Sequence, residues 1–144
     1  MARVSTYLNF VRNTEEAFNF YKTVFGTEFN GPIARMGAGP AAPGAPPMAE
    51  EDKNLVLHVE LPITGGHVLM GTDAPESWGF NLNFGNNMHI MLEPDTREEG
   101  EKLFNALADG GKTTMPLTDM FWGAYFGSTI DKYGVHWMVN VTNK

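Results

Sequence analysis

The sequence contains few catalytic or metal-ligating residue types in a spacing that indicates a functional site. His58 and Glu60 are separated by one residue in a strand-like stretch, so alternation puts them on one face. The pair could bind a metal ion if it met His89, and either member could serve as a base. The alternative is a cross-strand or solvent-facing polar pair, with His89 hydrogen-bonded in or near a cavity. His136 alternates onto the same face as Met138.

Methionines and aromatic residues form a second group, which could line an apolar cavity. Thioethers and rings make an adaptable wall that suits aromatic or flexible ligands. The alternative is that they fill the core of a curled sheet, where methionine is a common gap filler. Trp122 lies beside a glycine and its N–H needs a partner, which is compatible with a cavity rim. The candidates are Phe10, Met70, Trp78, Met91, Trp122, Tyr125, Phe126 and Met138.

Two aspartates could belong either to a site or to turns. Asp119 follows Pro116 closely and could be a base or an orienting carboxylate near the Trp122 rim. It could equally cap a turn, which is a common place for aspartate. Asp131 opens the segment Asp-Lys-Tyr-Gly, whose composition predicts a turn.

Composition excludes several classes of function. The chain has 144 residues, which suits one domain, and no cysteine, which excludes thiol catalysis, disulfides and cysteine-ligated metals. Seventeen acidic residues against ten scattered basic ones give a formal charge of −7, so neither nucleic acid nor an anionic membrane is an expected partner. No apolar run reaches membrane-spanning length and the first residues do not read as a signal peptide. We therefore expect a cytoplasmic protein.

The predicted secondary-structure elements that position these residues occur in the same order in each half of the chain. Each half begins with a strand, continues with a helix that opens on a polar capping segment and closes at glycine, and ends with three further strands. In the first half we predict a strand at 3–11, a helix from Asn13 to Gly26, a strand or hairpin within 27–35, a mobile surface loop at 36–52, and strands at 55–61 and 67–72. After a second loop at 74–85, we predict strands at 87–92, 112–115, 121–128 and 135–142, with a helix between Asp95 and Asp109.

This order predicts an α+β fold of two βαβββ modules with curled mixed sheets, at about 3–73 and 87–142, within one domain of residues 1–144. Each module has one helix, which can cover only one face of its sheet. The other face must therefore curl into a cavity or pack on a second copy.

Three segments carry a resemblance to a known family. They are Tyr7-Leu8-Asn9-Phe10 with the helix that follows it, the run from Pro116 to Gly123 (PLTDMFWG), and Asp131 to Trp137 (DKYGVHW). With the paired modules, they resemble the vicinal-oxygen-chelate superfamily of glyoxalases, bleomycin-resistance proteins and dioxygenases, and within it the PhnB-like family.

The resemblance implies that modules pair edge to edge, within one chain or by exchange between two chains, around a half-barrel that holds a small molecule. We also expect a homodimer. The resemblance also implies four ligand positions at about Thr6, Met70, His89 and Met138. Of these residues only His89 is an ordinary ligand for a divalent metal, and thioethers suit copper(I) better.

Two hypotheses follow. In the first, the protein binds a small apolar or aromatic compound, with no metal chemistry. In the second, it is a divalent-metal lyase, isomerase or dioxygenase, with His89 as ligand and His58, Glu60 or Asp119 as base or second ligand. The glycine-rich loop expected of a methyltransferase that uses S-adenosylmethionine is absent between the first strand and helix, and no nucleophile elbow occurs.

Overall fold

A computed structural model describes residues 2–39, 44 and 47–142. The chain folds into two compact units, Met1–Leu82 and Asn83–Lys144. Of the loop predicted at 36–52, residues 40–43 and 45–46 lie outside the described residues. No helix in the described part is long and apolar enough to cross a membrane.

Both units contain the predicted βαβββ order. The first has β1 (Thr6–Phe10), α1 (Thr14–Phe25), β2 (Ala34–Arg35), β3 (Val56–Pro62) and β4 (Val68–Asp73). The second has β5 (Ile90–Leu92), α2 (Arg97–Ala108), β6 (Lys112–Asp119), β7 (Ala124–Ile130) and β8 (His136–Thr142). Short 3-10 turns occupy Glu50–Asp52, Thr64–Gly66 and Glu76–Trp78. The predicted α+β fold of two modules with mixed sheets is confirmed.

The two sheets have the same topology. The first has the order β1-β4-β3-β2 and the second β5-β8-β7-β6. In each, the first strand pairs in parallel with the last, and the last three strands pair antiparallel to one another. The first and last strands of a module therefore lie side by side at the edge and centre of its sheet, although the whole module separates them in sequence.

Each helix packs against one face of its own sheet. A Cβ on Gly71 of β4 would lie 2.5 Å from the Phe18 ring of α1, so this glycine gives α1 its close approach. A Cβ on Gly100 of α2 would lie 2.7 Å from Val141 of β8. These contacts fix which residues face the helix, and we call the opposite side of each sheet its helix-free face.

A buried carboxylate joins three elements of the first unit. Asp73 at the end of β4 accepts hydrogen bonds from the backbone N and the hydroxyl of Thr14 (3.1 and 2.7 Å) and from the backbone N of Val56 (2.8 Å). Asn13, the capping residue expected from the sequence, makes no side-chain cap. Asp73 satisfies the first turn of α1 instead, because its carboxylate reaches the backbone N of Thr14. Both partners, Asp73 and Thr14, are buried.

Asp131 organises the turn before β8 in a related way. It accepts hydrogen bonds from the backbone N atoms of Tyr133 and Val135 and from the indole N–H of Trp137 (2.8 Å). Trp137 is fully buried, and a buried indole needs such a partner. The predicted turn role of Asp131 is confirmed.

Some predicted boundaries are wrong. β6 continues to Asp119 rather than ending at 115, and β7 begins at Ala124 rather than at 121. Only Ala34–Arg35 of the segment 27–35 forms a strand. The described ends of the 36–52 loop are anchored, since Met36 N donates to Leu55 O and Asp52 is buried against Arg12 (2.9 Å).

We expect Asp73→Asn to lower the free energy of unfolding by about 2–3 kcal/mol, because an amide cannot accept on both sides and leaves a buried donor unsatisfied. Urea denaturation measures the change, with Asp109→Asn, an exposed carboxylate at the end of α2, as the control. Equal midpoints for the two variants would contradict the role given to Asp73.

Candidate functional site

The helix-free face of the first sheet carries a chain of three polar side chains. The Tyr7 hydroxyl lies 3.1 Å from Nδ1 of His58, and Nε2 of His58 lies 2.9 Å from Glu60. An ionised Glu60 can only accept, so Nε2–H of His58 donates to it. In the neutral imidazole, Nδ1 then accepts from the Tyr7 hydroxyl. The hydrogen bond from His58 lowers the pKa of the Glu60 carboxyl below its ordinary value. The three side chains therefore form one hydrogen-bonded chain across β1 and β3.

The strand register places Tyr7, not Thr6, beside Met70. Tyr7 pairs with Met70 of β4, which in turn pairs with Glu60 of β3. Thr6 pairs with the buried Leu69, and its hydroxyl lies 2.9 Å from Nε2 of His67. Since strand neighbours alternate, Thr6 lies on the α1 side and does not share a face with Met70. Sequence reasoning misses Tyr7, although it stands within the first segment of the resemblance.

The helix-free face of the second sheet is rich in sulfur. Met91 of β5 pairs with Met138 of β8, Met138 pairs with Ser128 of β7, and Ser128 pairs with Met115 of β6. Met91, Met138 and Ser128 therefore form one row across three strands, and Met115 lies opposite Ser128 where the register of β6 shifts on both sides. Phe126 lies two residues from Ser128 on the same side. Met91 is 48% exposed and Met115 is 42% exposed. We call this surface the methionine face, formed by Met91, Met115, Phe126, Ser128 and Met138.

Two histidines lie at one side of the methionine face. His89 precedes β5 and His136 begins β8, and their rings contact edge to face with centroids 5.2 Å apart. Alternation along the sequence places His136 with Met138. It does not reveal the contact with His89, because nothing in the sequence states that β5 and β8 are neighbours.

Asp119 and Tyr125 lie on the α2 side of the second sheet. Arg97 of α2 binds both oxygens of Asp119 (2.6 and 3.2 Å) and stacks over the Tyr125 ring at 3.8 Å. The Tyr125 hydroxyl donates to Glu101 (3.0 Å). The pKa of Arg97 is raised, chiefly by its hydrogen bond to Asp119, and the pKa of Tyr125 is raised by desolvation first and Glu101 second. These contacts tie α2 to β6 and β7, on the side of the sheet opposite the methionine face.

The remaining aromatic candidates have different environments. Phe10 is 1% exposed and belongs to the core. Trp122 lies in the turn between β6 and β7, stacked edge to face on Phe121, which is 97% exposed. Trp78 is half exposed in a 3-10 turn of the first unit.

The four ligand positions implied by the resemblance do not fit a catalytic divalent metal. Such a centre needs about three protein ligands of imidazole or carboxylate type. Thr6 lies on the α1 side of its sheet, and Met70 and Met138 supply thioethers. Among residues 2–39, 44 and 47–142, no group of three or more His, Asp or Glu side chains is placed to hold a metal ion.

A polar cleft lies elsewhere in the second unit. Its volume is about 590 Å³, and its walls come from the link between β5 and α2, from Arg97 at the start of α2, and from the end of β8, including Asn140. None of the predicted site residues lines it. The link between β1 and α1, where a methyltransferase would carry glycines, contains none, and Asp73 already occupies the helix start.

Two βαβββ units with mixed sheets define the fold of the glyoxalase, bleomycin-resistance and dioxygenase proteins. A family enzyme of this class from Burkholderia phytofirmans shares the fold, with 19% identity and a TM-score of 0.61 over 95% of this chain and 97% of that one. A family model described as 3-demethylubiquinone-9 3-methyltransferase matches residues 2–140. The chain belongs to this PhnB-like family.

Three relatives are similar over nearly their whole length. Protein PA1353 from Pseudomonas aeruginosa is 33% identical, with a TM-score of 0.84 and full coverage of both chains. A PhnB protein from Bacillus cereus is 29% identical, with a TM-score of 0.74 over 98% of this chain and 100% of that one. Protein YjdN from Escherichia coli K12 is 28% identical over 145 residues, covering 98% of this chain and 96% of YjdN.

We expect His58→Ala to raise the pKa of the Glu60 carboxyl towards its ordinary value, because the variant removes the hydrogen bond that favours the ionised form. Carbon-detected NMR titration of the carboxyl group measures this change. His67→Ala is the control, since His67 bonds to Thr6 and not to Glu60. A Glu60 pKa that is the same in both variants would contradict the assignment.

Proposed function

We propose that this protein binds a small apolar or aromatic molecule on the methionine face, without the divalent-metal chemistry of the superfamily. The observation that carries this proposal is that Met91 and Met115, 48% and 42% exposed, lie on the side of the second sheet that α2 does not cover. Contact with a ligand would remove this surface from water, at about 25 cal/mol for each Å² buried. Family membership supports a small molecule as the occupant.

The side chains of the methionine face favour an apolar ligand that contains polarisable groups such as aromatic rings. Met91 and Met138 are adjacent on neighbouring strands, and Phe126 supplies an aromatic wall two strands away from Met91. Methionine side chains can adjust their shape to different ligands, and sulfur makes favourable contacts with aromatic rings. Ser128, which bonds Thr114 at 2.7 Å, is the polar group within the row.

The alternative of a divalent-metal enzyme has less support. His89 is the only ordinary ligand among the four implied positions, and the ring that it contacts belongs to His136. His58 and Glu60 are bonded to each other on the sheet of the first unit. Turnover of a bound compound that depends on added Ni²⁺, Zn²⁺, Mn²⁺ or Fe²⁺ would favour this alternative.

The proposed binding is tested with a panel of aromatic compounds and antibiotics. Thermal shift finds a binder and calorimetry measures its affinity. Phe126→Ala should weaken the affinity by about fivefold or more, because truncation of a buried aromatic contact costs over about 1 kcal/mol. Tyr125→Phe, which alters the neighbouring residue on the α2 side, should leave it unchanged.

Two results would contradict the proposal. One is failure of every compound in the panel to bind. The other is an equal loss of affinity in Phe126→Ala and Tyr125→Phe, which would place the ligand away from the methionine face.

We propose further that the chain forms a homodimer and that the exposed aromatic pair Phe121 and Trp122 lies in the contact. Phe121 is 97% exposed and Trp122 is 61% exposed, on a short turn held by the bond from Met120 N to Ala124 O. Large aromatic side chains are enriched in the buried parts of protein interfaces. In a homodimer, the second copy would bury Phe121 and Trp122, which are exposed on the single chain.

Light scattering after size exclusion should give about twice the chain mass of 15.9 kDa. Phe121→Ser and Trp122→Ser should each weaken the dimer by about tenfold or more, whereas Val4→Ser, which is also strongly exposed, should not. A monomer at tens of micromolar would contradict the homodimer. A dimer unaffected by both aromatic changes would show that another surface forms it.

A further inference from the structure

We propose a soft-metal site for copper(I) on the second unit, formed by His89, Met91, His136 and Met138. The site shares Met91 and Met138 with the methionine face, but it does not rest on the proposed function. It includes His89 and Met138, which are two of the four positions implied by the resemblance, and takes Met91 and His136 of the same module in place of Thr6 and Met70.

The sequence carries the motif His-X-Met twice, at His89-Ile90-Met91 and at His136-Trp137-Met138. Residues two apart on a strand point to the same side. Each motif therefore presents an imidazole and a thioether on one face, separated by about 6.6 Å along the strand. The intervening Ile90 and Trp137 point to the α2 side, and Trp137 is fully buried there.

The parallel pairing of β5 and β8 puts the two motifs in register. Ile90 pairs with Trp137 and Met91 pairs with Met138, so His89 falls opposite His136. The ring contact between the histidines, with centroids 5.2 Å apart, shows that both side chains point to the same side. Neighbouring strands are about 4.8 Å apart. The four side chains thus stand at the corners of a small rectangle, and all four are long enough to reach an ion above its centre.

The four donors favour copper(I) over harder ions. Thioether sulfur is a soft ligand that selects copper(I), and imidazole binds it as well. Zinc, nickel and non-haem iron prefer imidazole with carboxylate or thiolate, and the chain contains no cysteine. Among the described residues, no third His, Asp or Glu joins the histidine pair in a metal-binding group. Silver(I) is expected to bind for the same reason.

The site is open to an entering ion. His89 and Met91 are exposed, and His136 and Met138 are partly exposed. No described hydrogen bond of either imidazole would have to break. Binding would therefore require only rotation of side chains on two strands whose backbones are already paired.

The test is anaerobic competition for copper(I) between the full chain and bicinchoninate, with ascorbate present. The native chain should take up one copper(I), and X-ray absorption should show both sulfur and nitrogen neighbours. Met91→Leu with Met138→Leu removes the thioethers at nearly constant volume. Removing a residue that only hydrogen-bonds to a metal ligand typically weakens metal binding by about tenfold or more. The loss of two ligands should therefore weaken copper(I) binding by at least about tenfold.

Met115→Leu is the matched control, because Met115 lies on the same face but two strands away from Met138. It should bind copper(I) like the native chain, and circular dichroism checks that each variant folds. No uptake against an equimolar competitor would overturn the proposal. So would an equal loss of affinity in Met115→Leu, or zinc(II) binding as tight as copper(I). Loss of apolar-ligand binding in Phe126→Ala with copper(I) affinity unchanged would support a copper(I) site that does not depend on the ligand contact at Phe126.

Discussion

A single helix cannot cover both faces of a four-stranded sheet, and this constraint decides where the protein has free surface. Each βαβββ unit has one helix, which packs on one side through a glycine, Gly71 below α1 and Gly100 of α2. The opposite sides keep residues such as Tyr7 and Met91 about half exposed. The proposed ligand surface and the proposed copper(I) site both lie on such a side, where Met91 is open to solvent.

On the side of each sheet that the helix covers, buried carboxylates connect the secondary-structure elements. Asp73 satisfies the start of α1 and the backbone of β3, and Asp131 satisfies a turn and the indole of Trp137. Arg97 connects α2 to Asp119 and Tyr125 on the same side of the second sheet. These polar groups of the helix side are therefore engaged in structure, which leaves the helix-free faces for binding.

Much of the fold can be predicted from the sequence, because its signals are local. The apolar spacing of both helices and their closing glycines lie within short windows, and the repeated order of elements follows from them. The predicted end of β6 is too early, because Pro116 and Asp119 have turn-like composition, whereas pairing with β7 carries the strand to Asp119. Pairing with a distant strand outweighs local composition in such cases.

The candidate site is less predictable, because it depends on register between strands that are far apart in sequence. Met70 and Tyr7 become neighbours only through the parallel pairing of β1 with β4. A shift of one residue moves a side chain to the other face, and this is why the sequence alone does not separate Thr6 from Met70. The same pairing in the second unit brings His89 to His136, 47 positions further along the chain.

The most direct test of ligand binding on the methionine face uses the nine methionines as probes. The chain would be labelled with carbon-13 at the methionine methyl groups and titrated with the compound found by thermal shift. We expect the methyl signals of Met91, Met115 and Met138 to move together, while that of the buried Met36 does not. Saturable binding that leaves all three of these signals unchanged would contradict the proposed surface.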